Sequence, residues 1–334
     1  MSDYRNITLE KGMYSGKGFS KNLEELDPSE NYKGTSLEGT DAFTRQLKRY
    51  GIRVSGKNSD TVSKFFASSQ TAALFPEFVI RSVALGIDSS DVISRIIATK
   101  TKIDGMDYRS INPTFADASG AADTITEGGQ IPSVELTLAN ELVALKKHGR
   151  IFSASYEALK FQRIEILSLV FKHIGRYIAA QQLKDAVNVI VSGNNGSDDC
   201  DYSEISGAIT YNQLLNLWNS LGNYTMTTLL VNPADLPTIL GMSEFRDAAA
   251  GLNFHATGKL ITPFGAEIVK TSDINESMIV GFDKRVALEM VQSGDVTVEY
   301  DKLIDHQLER VAITCLSGFN RIVKDAVKAD VFDA

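Results

Sequence analysis

GIRVSGKN, at 51–58, sets its glycines and lysine as a loop that cradles phosphate on backbone N–H groups would. Asn58 stands where that loop needs a magnesium-binding hydroxyl, and a helical pattern precedes it where a strand should. Nucleotide binding is not assigned. NNGSDDCD, at 194–201, gathers Asp198, Asp199 and Asp201, the ligand type calcium takes, without the EF-hand spacing or its closing glutamate. It reads as a solvated loop. His148, His173, His255 and His306 lie far apart and form no HExxH pair; His173, midway along a helical pattern, reads as a structural histidine. SASYEAL lacks the lysine of an SxxK nucleophile, and no GxSxG elbow occurs. Cys200 and Cys315 are the only cysteines, which supports neither a disulfide framework nor a thiolate zinc site. No catalytic residue, cofactor or metal is assigned, and the chain is expected not to be an enzyme.

A fourth stretch, TEGGQIPSVELTL at 126–138, asks whether its glycines hold a ligand or let a strand swing. Gly128 and Gly129 follow no strand pattern and open no helix, so an anion cradle lacks its scaffold. They stand where a polar excursion of about 35 residues, 98–132, rejoins the body. A segment that long without a core-facing pattern is more than a connection: it is either disordered or packed on another molecule. Glycine permits backbone angles that other residues resist, and Pro132 fixes the start of the strand. Glu127, Gly128, Gly129 and Pro132 therefore read as a hinge. In SVELTL, Val134, Leu136 and Leu138 fall on one side, as in a half-buried strand, with a phase slip near Asn140 that suits a bulge.

The elements around these stretches are more regular. Residues 1–39, rich in Gly, Ser, Asn and charge, read as an extended arm held only by something else. A short helix follows, capped by Thr40 or Asp41, with Phe43, Leu47 and Tyr50 on one face and Gly51 at its end. Arg45, Lys48 and Arg49 lie on its other face, with Arg53 and Lys57 just beyond. Those cations are either a solvated face or a contact with an acidic neighbouring subunit or with DNA. From Arg163 to Val191, Ile164, Leu167, Val170, Phe171, Ile174, Ile178, Leu183, Val187 and Ile190 recur at helical spacing. Gly175 is the one weak helix former inside, and Gly193 stops the run, predicting a rod of about 43 Å. Beyond a polar loop, NNGSDDCDYSE, the pattern shortens. TYNQLLNLWNSL is an amphipathic helix; TTLLV, AEIV, SMIVGF, VALEMV, DVTVEY and VAITCL read as strands; FNRIVKDAVKADVF closes the chain.

With 334 residues, 43% hydrophobic and 23% charged, the chain can bury a real core, and its net charge of −8 argues against a general nucleic-acid binder. The same charge suits a container wall that must not cling to a polymer inside. MSDYRNITLEKG lacks the layout of a signal peptide, and no apolar run approaches the ~18 residues of a membrane span, so a soluble protein folded in a cytosol is expected.

A long arm, a polar two-stranded excursion ending in EGGQIP, a strand leading to SYEAL, a rod and a mixed terminal region form a series. It resembles the major capsid proteins of tailed bacteriophages, the Hong Kong 97 type, over residues 65 to 330. LVNPADL, GKLITPFGAEIV and IVGFDKR look like that family's recurring pieces. The resemblance implies an α+β fold. Residues 1–64 would be an N-terminal arm, 65–97 the start of the peripheral domain and 98–132 an extended β-hairpin loop. Residues 133–200 would be the peripheral domain with its spine helix, 201–291 the axial domain, and 292–334 a return to the peripheral domain. It implies a homo-oligomer of hexamers and pentamers closing an icosahedral shell around double-stranded DNA, without sequence-specific binding. Portal, scaffolding or decoration proteins would be partners, with assembly in the bacterial host cytoplasm and residence in the virion. About 60 residues precede the core, too few for a cleaved scaffolding segment, so separate scaffolding or none is expected. Lys100 and Lys102 lie at the loop's base, so the family's covalent lysine cross-link is not carried over. Two alternatives stand beside this reading: an encapsulin-type nanocompartment shell, and a soluble hydrolase with a mobile lid at 98–132.

Overall fold

In a computed structural model, which describes residues 7–9, 18–90, 92–114, 135–138, 141–194, 196, 198–246 and 260–333, helices lead and strands follow. The helices α1 (Phe19–Leu26), α2 (Ala42–Arg49), α3 (Ser69–Ala72) and α4 (Phe75–Asp88) come first. Strands β1 (Thr99–Ile103), β2 (Ile111–Thr114), β3 (Glu135–Leu138) and β4 (Lys146–Ser155) lead into α5 (Tyr156–Phe161) and the long α6 (Ile164–Ser192). Next come β5 (Asp201–Ser206), α7 (Tyr211–Ser220), β6 (Thr228–Val231), α8 (Leu236–Leu240), α9 (Ser243–Arg246) and β7 (Glu267–Lys270). The chain closes with β8 (Met278–Phe282), a helical turn, β9 (Leu288–Leu303), β10 (Leu308–Arg321) and β11 (Val327–Asp333). The strands pair in the orders β1-β9-β10-β4, β5-β11-β8-β6-β7 and β2-β3.

Two compact units divide the chain. One draws on Met1–Ser90, Gly149–Ala179 and Val296–Cys315, the other on Asp91–His148, Ala180–Asp295 and Leu316–Ala334. The first is built on rings: Phe65, Phe75, Phe78, Phe152 and Phe171 pack edge-on or tilted, with centroids 5.3–6.4 Å apart. On α6, Ile164, Leu167, Phe171, Ile174 and Ile178 join that core, as their spacing predicts. Gly175 has a reason. A Cβ there would lie 2.2 Å from the Val83 carbonyl, and one on Gly86 would lie 2.2 Å from the Lys172 carbonyl. α4 and α6 therefore cross backbone against backbone, closer than any side chain permits. Gly193 ends α6 in the left-handed region, φ 75°.

In the second unit the five-stranded sheet is covered on both faces. Leu230 and Val280 point into one apolar cluster with Val187 and Ile190 of α6; Leu229, Val231 and Ile279 point into another with Leu214 and Leu217 of α7. That double burial is why β6 and β8 read as unbroken apolar runs.

Several expectations need correcting. Within the expected arm of 1–39, residues 18–39 are not extended: α1 buries Phe19 and Leu23 in the first unit's core. Residues 99–103 are not loop, because β1 pairs in parallel with β9, Thr99 opposite Glu289 and Ile103 opposite Ser293. The excursion instead leaves after Ile103, and its stem is the antiparallel pair Ile111↔Leu138 to Thr114↔Glu135. The last residues of SVELTL thus belong to the stem rather than the body sheet. The hinge residues Glu127, Gly128, Gly129 and Pro132 lie outside the described residues, as do Asn140 and His255. In sequence the four fall between β2 and β3. DYSE is strand, not loop: β5 is a polar edge, paired among the described residues only with β11. VALEMV begins as a helical turn, Lys284–Ala287, before β9 starts. Residues 327–333 form β11, which sits between β5 and β8 in the five-stranded sheet.

Candidate functional site

The five arm cations separate once their partners are visible. Arg45 is fully buried. Its guanidinium donates to Asp27 Oδ2 and Ser29 Oγ, each at 2.9 Å, and to the Thr40 and Asp27 carbonyls, and lies 4.4 Å from the Tyr32 ring centre. It ties α2 to the turn after α1 and has no surface to offer another subunit, which corrects that expectation. Arg49 is half-buried and donates to the Ile7 carbonyl at 3.0 Å. Lys48, Arg53 and Lys57 are exposed.

The other candidate stretches resolve into packing and ion pairs. The Gly56 N–H of GIRVSGKN faces Glu165 Oε1 at 3.4 Å, a carboxylate where a phosphate would have to sit. Asp198 binds Arg321 and Lys324, each at 2.6 Å, and Asp201 binds Lys328 at 2.5 Å. The Lys324 bond holds the Asp198 carboxyl below its usual range, and the Lys328 bond does the same for Asp201. These aspartates already have cations, and no metal-holding cluster occurs among the described residues. His148 Nε2 lies 2.5 Å from Asp185 Oδ2, whose other oxygen binds Lys146 at 2.8 Å. His173 sits on the exposed side of α6, not in a core. Cys200 and Cys315 are buried thiols.

What stands out instead is a surface. Ile166, Leu169 and Val170, 51%, 61% and 38% exposed, share one face of α6 by their spacing of three and four, and Phe161, 73% exposed, precedes them at the end of α5. Neighbouring large apolar side chains left in water mark an interaction site more often than scattered ones do. The periodicity places Val170 in the core, which is corrected here. Ile166 and Leu169 carried a usable signal: they are apolar, yet fall off the core-facing stripe.

A second constellation lies at the root of the excursion. Glu289, on β9 and 6% exposed, accepts from Thr101 Oγ at 2.6 Å, Tyr108 Oη at 2.8 Å and Ser110 Oγ at 2.6 Å. Burial and the Glu289 carboxylate push the Tyr108 phenol up, so it remains a proton donor. Glu289 is a lone carboxylate inside the apolar run ALEMV, which is the signal that could have flagged it. In the first unit, a recess of about 700 Å³ is lined by Phe66, Phe75, Val298, Tyr300 and Lys302, whose ammonium is already neutralised by Glu309 at 2.8 Å. Among the described residues, no helix is long and apolar enough to cross a membrane.

Comparison with known proteins gives one family and one fold. Residues 139–326 match the family model described as Phage capsid protein. The fold is similar to that of the virus-like particle from Pyrococcus furiosus, at TM-score 0.53 and 14% identity, covering 76% of this chain and 98% of that one. It is similar to the capsid of a native GTA particle, at TM-score 0.53 and 14% identity, covering 73% and 90%. A protein of Gordonia phage Cozz matches at TM-score 0.51 and 14% identity, covering 73% and 87%. Comparison with curated protein sequences finds no match.

Proposed function

The chain belongs to the phage capsid protein family, as a major capsid protein that builds the head shell, and from that premise we propose how its copies hold together. The observation that carries the proposal is the exposed apolar face of Ile166, Leu169 and Val170 on α6, with exposed Phe161 just before it in the chain. Copies assemble as hexamers and pentamers in which a neighbour covers that face. Fully burying a Leu or Ile side chain is worth roughly 1.5–3 kcal/mol, so covering four partly exposed ones yields several kcal/mol per contact. Each contact is weak alone; a closed shell makes many at once, at high effective concentration.

The excursion beyond Ile103 reaches a second copy. Its stem is a two-stranded hairpin of four paired residues on each side, marginal by itself in water, and contact with a neighbour supplies the missing burial. Lys48, Arg53 and Lys57 face the enclosed double-stranded DNA or an acidic neighbour, while the net charge of −8 keeps the wall from gripping DNA strongly. Portal and scaffolding proteins complete the head in the host cytoplasm.

Ile166→Glu combined with Leu169→Glu tests this. The subunit is expected to keep its melting temperature, since neither side chain is in the core, and to lose closed particles by electron microscopy. Wild-type particle yield would remove the apolar face from the assembly. Purified wild-type particles should carry nucleic acid by absorbance ratio; particles filled with protein instead would turn the reading to a nanocompartment.

A further inference from the structure

The root of the excursion is fastened more carefully than a connection requires. β1 runs alongside β9, and the outgoing segment after it turns back over Glu289 so that Tyr108 and Ser110 reach the same carboxylate as Thr101. Both carboxylate oxygens are used, Oε1 twice and Oε2 once. The returning segment is closed onto the outgoing one by the Val143 N–H, which donates to the Tyr108 carbonyl at 2.9 Å. Ser293, four residues along β9, donates its hydroxyl to the Gly105 carbonyl at 2.8 Å. Lys102 and Asp295 add an ion pair at 2.8 Å on the outside.

We propose that Glu289 is the positioning residue that sets the direction in which the excursion leaves the sheet, and through it the angle at which one copy meets the next. The inference rests on the reading that the excursion reaches a neighbouring copy. A buried carboxylate is a poor choice for stability alone. It pays a desolvation cost, it makes no ion pair among the described residues, and its strand neighbours Leu288, Met290 and Val291 are buried and apolar. An apolar residue there would pack the sheet equally well and fix nothing. A carboxylate accepts from several hydroxyls at once, and bonds to an ionised acceptor are short, strong and directional. Two such bonds from the outgoing segment, with the third from Thr101 of β1 anchoring the same carboxylate to the sheet, leave that segment one orientation. Tyr108 passes it on, because its side chain ends on Glu289 while its carbonyl holds the returning segment.

The experiment uses full-length protein. In Glu289→Gln the shape is kept but the charge and one acceptor oxygen are lost. Amide hydrogen exchange in the unassembled subunit is expected to quicken about tenfold in residues 104–111 and 141–145, as bonds to a charged acceptor weaken. Exchange in 211–231, behind α7 and β6, should not change. Particles from the variant are expected to show a broadened distribution of diameters, a readout that mere loss of stability would not give at unchanged melting temperature. If Glu289→Gln fails to fold, Ser110→Ala, which removes one hydroxyl, should move both readouts the same way by less. Unchanged exchange in both variants overturns the latch. Faster exchange with wild-type diameters overturns the positioning role. A wild type that never closes shells would bring down the assembly reading while leaving the exchange result standing.

Discussion

Between Ile164 and Ala179, α6 packs its inner side in a phenylalanine-rich cluster and shows Ile166, Leu169 and Val170 to solvent beside Glu165, His173 and Arg176; between Ala180 and Ser192 it packs in a mostly aliphatic cluster and shows Ala180, Lys184 and Asn188. The inner sides obey one rule in both halves. The outer sides do not, although one continuous set of backbone hydrogen bonds runs through them. Helix formation therefore does not explain the apolar outer face. On the proposed assembly, what differs is what each face would meet: water for the second half, a neighbouring copy for the first.

The harshest way to break this comparison is to widen the glycine crossing. Gly175→Leu should abolish soluble folding, because α4 and α6 leave no space for a Cβ. Five residues on, Ala180→Leu is exposed and should change stability by less than about 0.5 kcal/mol. Equal melting curves for the two variants would mean the crossing is not tight.

Next in size is Arg45, the charged exception inside the aromatic unit. Arg45→Ala strands the Asp27 carboxylate, 2.9 Å away, and should cost about 3–5 kcal/mol in denaturant unfolding, whereas Lys48→Ala should cost almost nothing. Charge reversal at Arg45, Lys48 and Arg49 together would then report on folding, not on assembly. A near-neutral Arg45→Ala would return that side chain to the list of surface contacts.

The smallest effect belongs to the second unit, which keeps a carboxyl in its sheet. Burial pushes Asp330 up to about 6, above its value in the unfolded chain. The folded state therefore binds this proton more tightly, so its contribution to stability is full below the unfolded value and is lost as pH rises through about 6. Asp330→Asn should melt higher than wild type at pH 7.5, with the difference shrinking toward pH 4.5. A constant difference across that range would mean the carboxyl is not buried charge.

How far the sequence carried depended on whether a signal was local. α6 was legible to within a residue because an apolar residue recurs about once per turn from Ile164 to Ile190, through the roughly eight turns of a 29-residue helix. The Asp41 cap was legible too, and its carboxylate does accept from the Thr44 N–H at 3.2 Å. α1 was not, because Phe19 and Leu23 are its only buried residues, too few to show a period. β1, TKTKI, looks like loop by composition and becomes strand only because β9 lies beside it. Nothing near Arg45 announces Asp27, eighteen residues earlier. Of the surfaces, Ile166 and Leu169 were readable as misfits, and Glu289 as a charge in an apolar run. Their meaning depended on knowing which sides were already covered.

β5 carries one more consequence. It is an edge strand, with exposed Asp201, Tyr202, Ser203 and Glu204, and Asp201 is tied sideways to Lys328 on β11. An open strand edge invites another strand, and a protein produced in many copies offers that invitation at high concentration. Charge along β5 makes a second β5 an unwelcome neighbour. A molecule selected to polymerise into something closed has to refuse the open-ended fibril, and here that refusal is written in the least hydrophobic strand of the sheet.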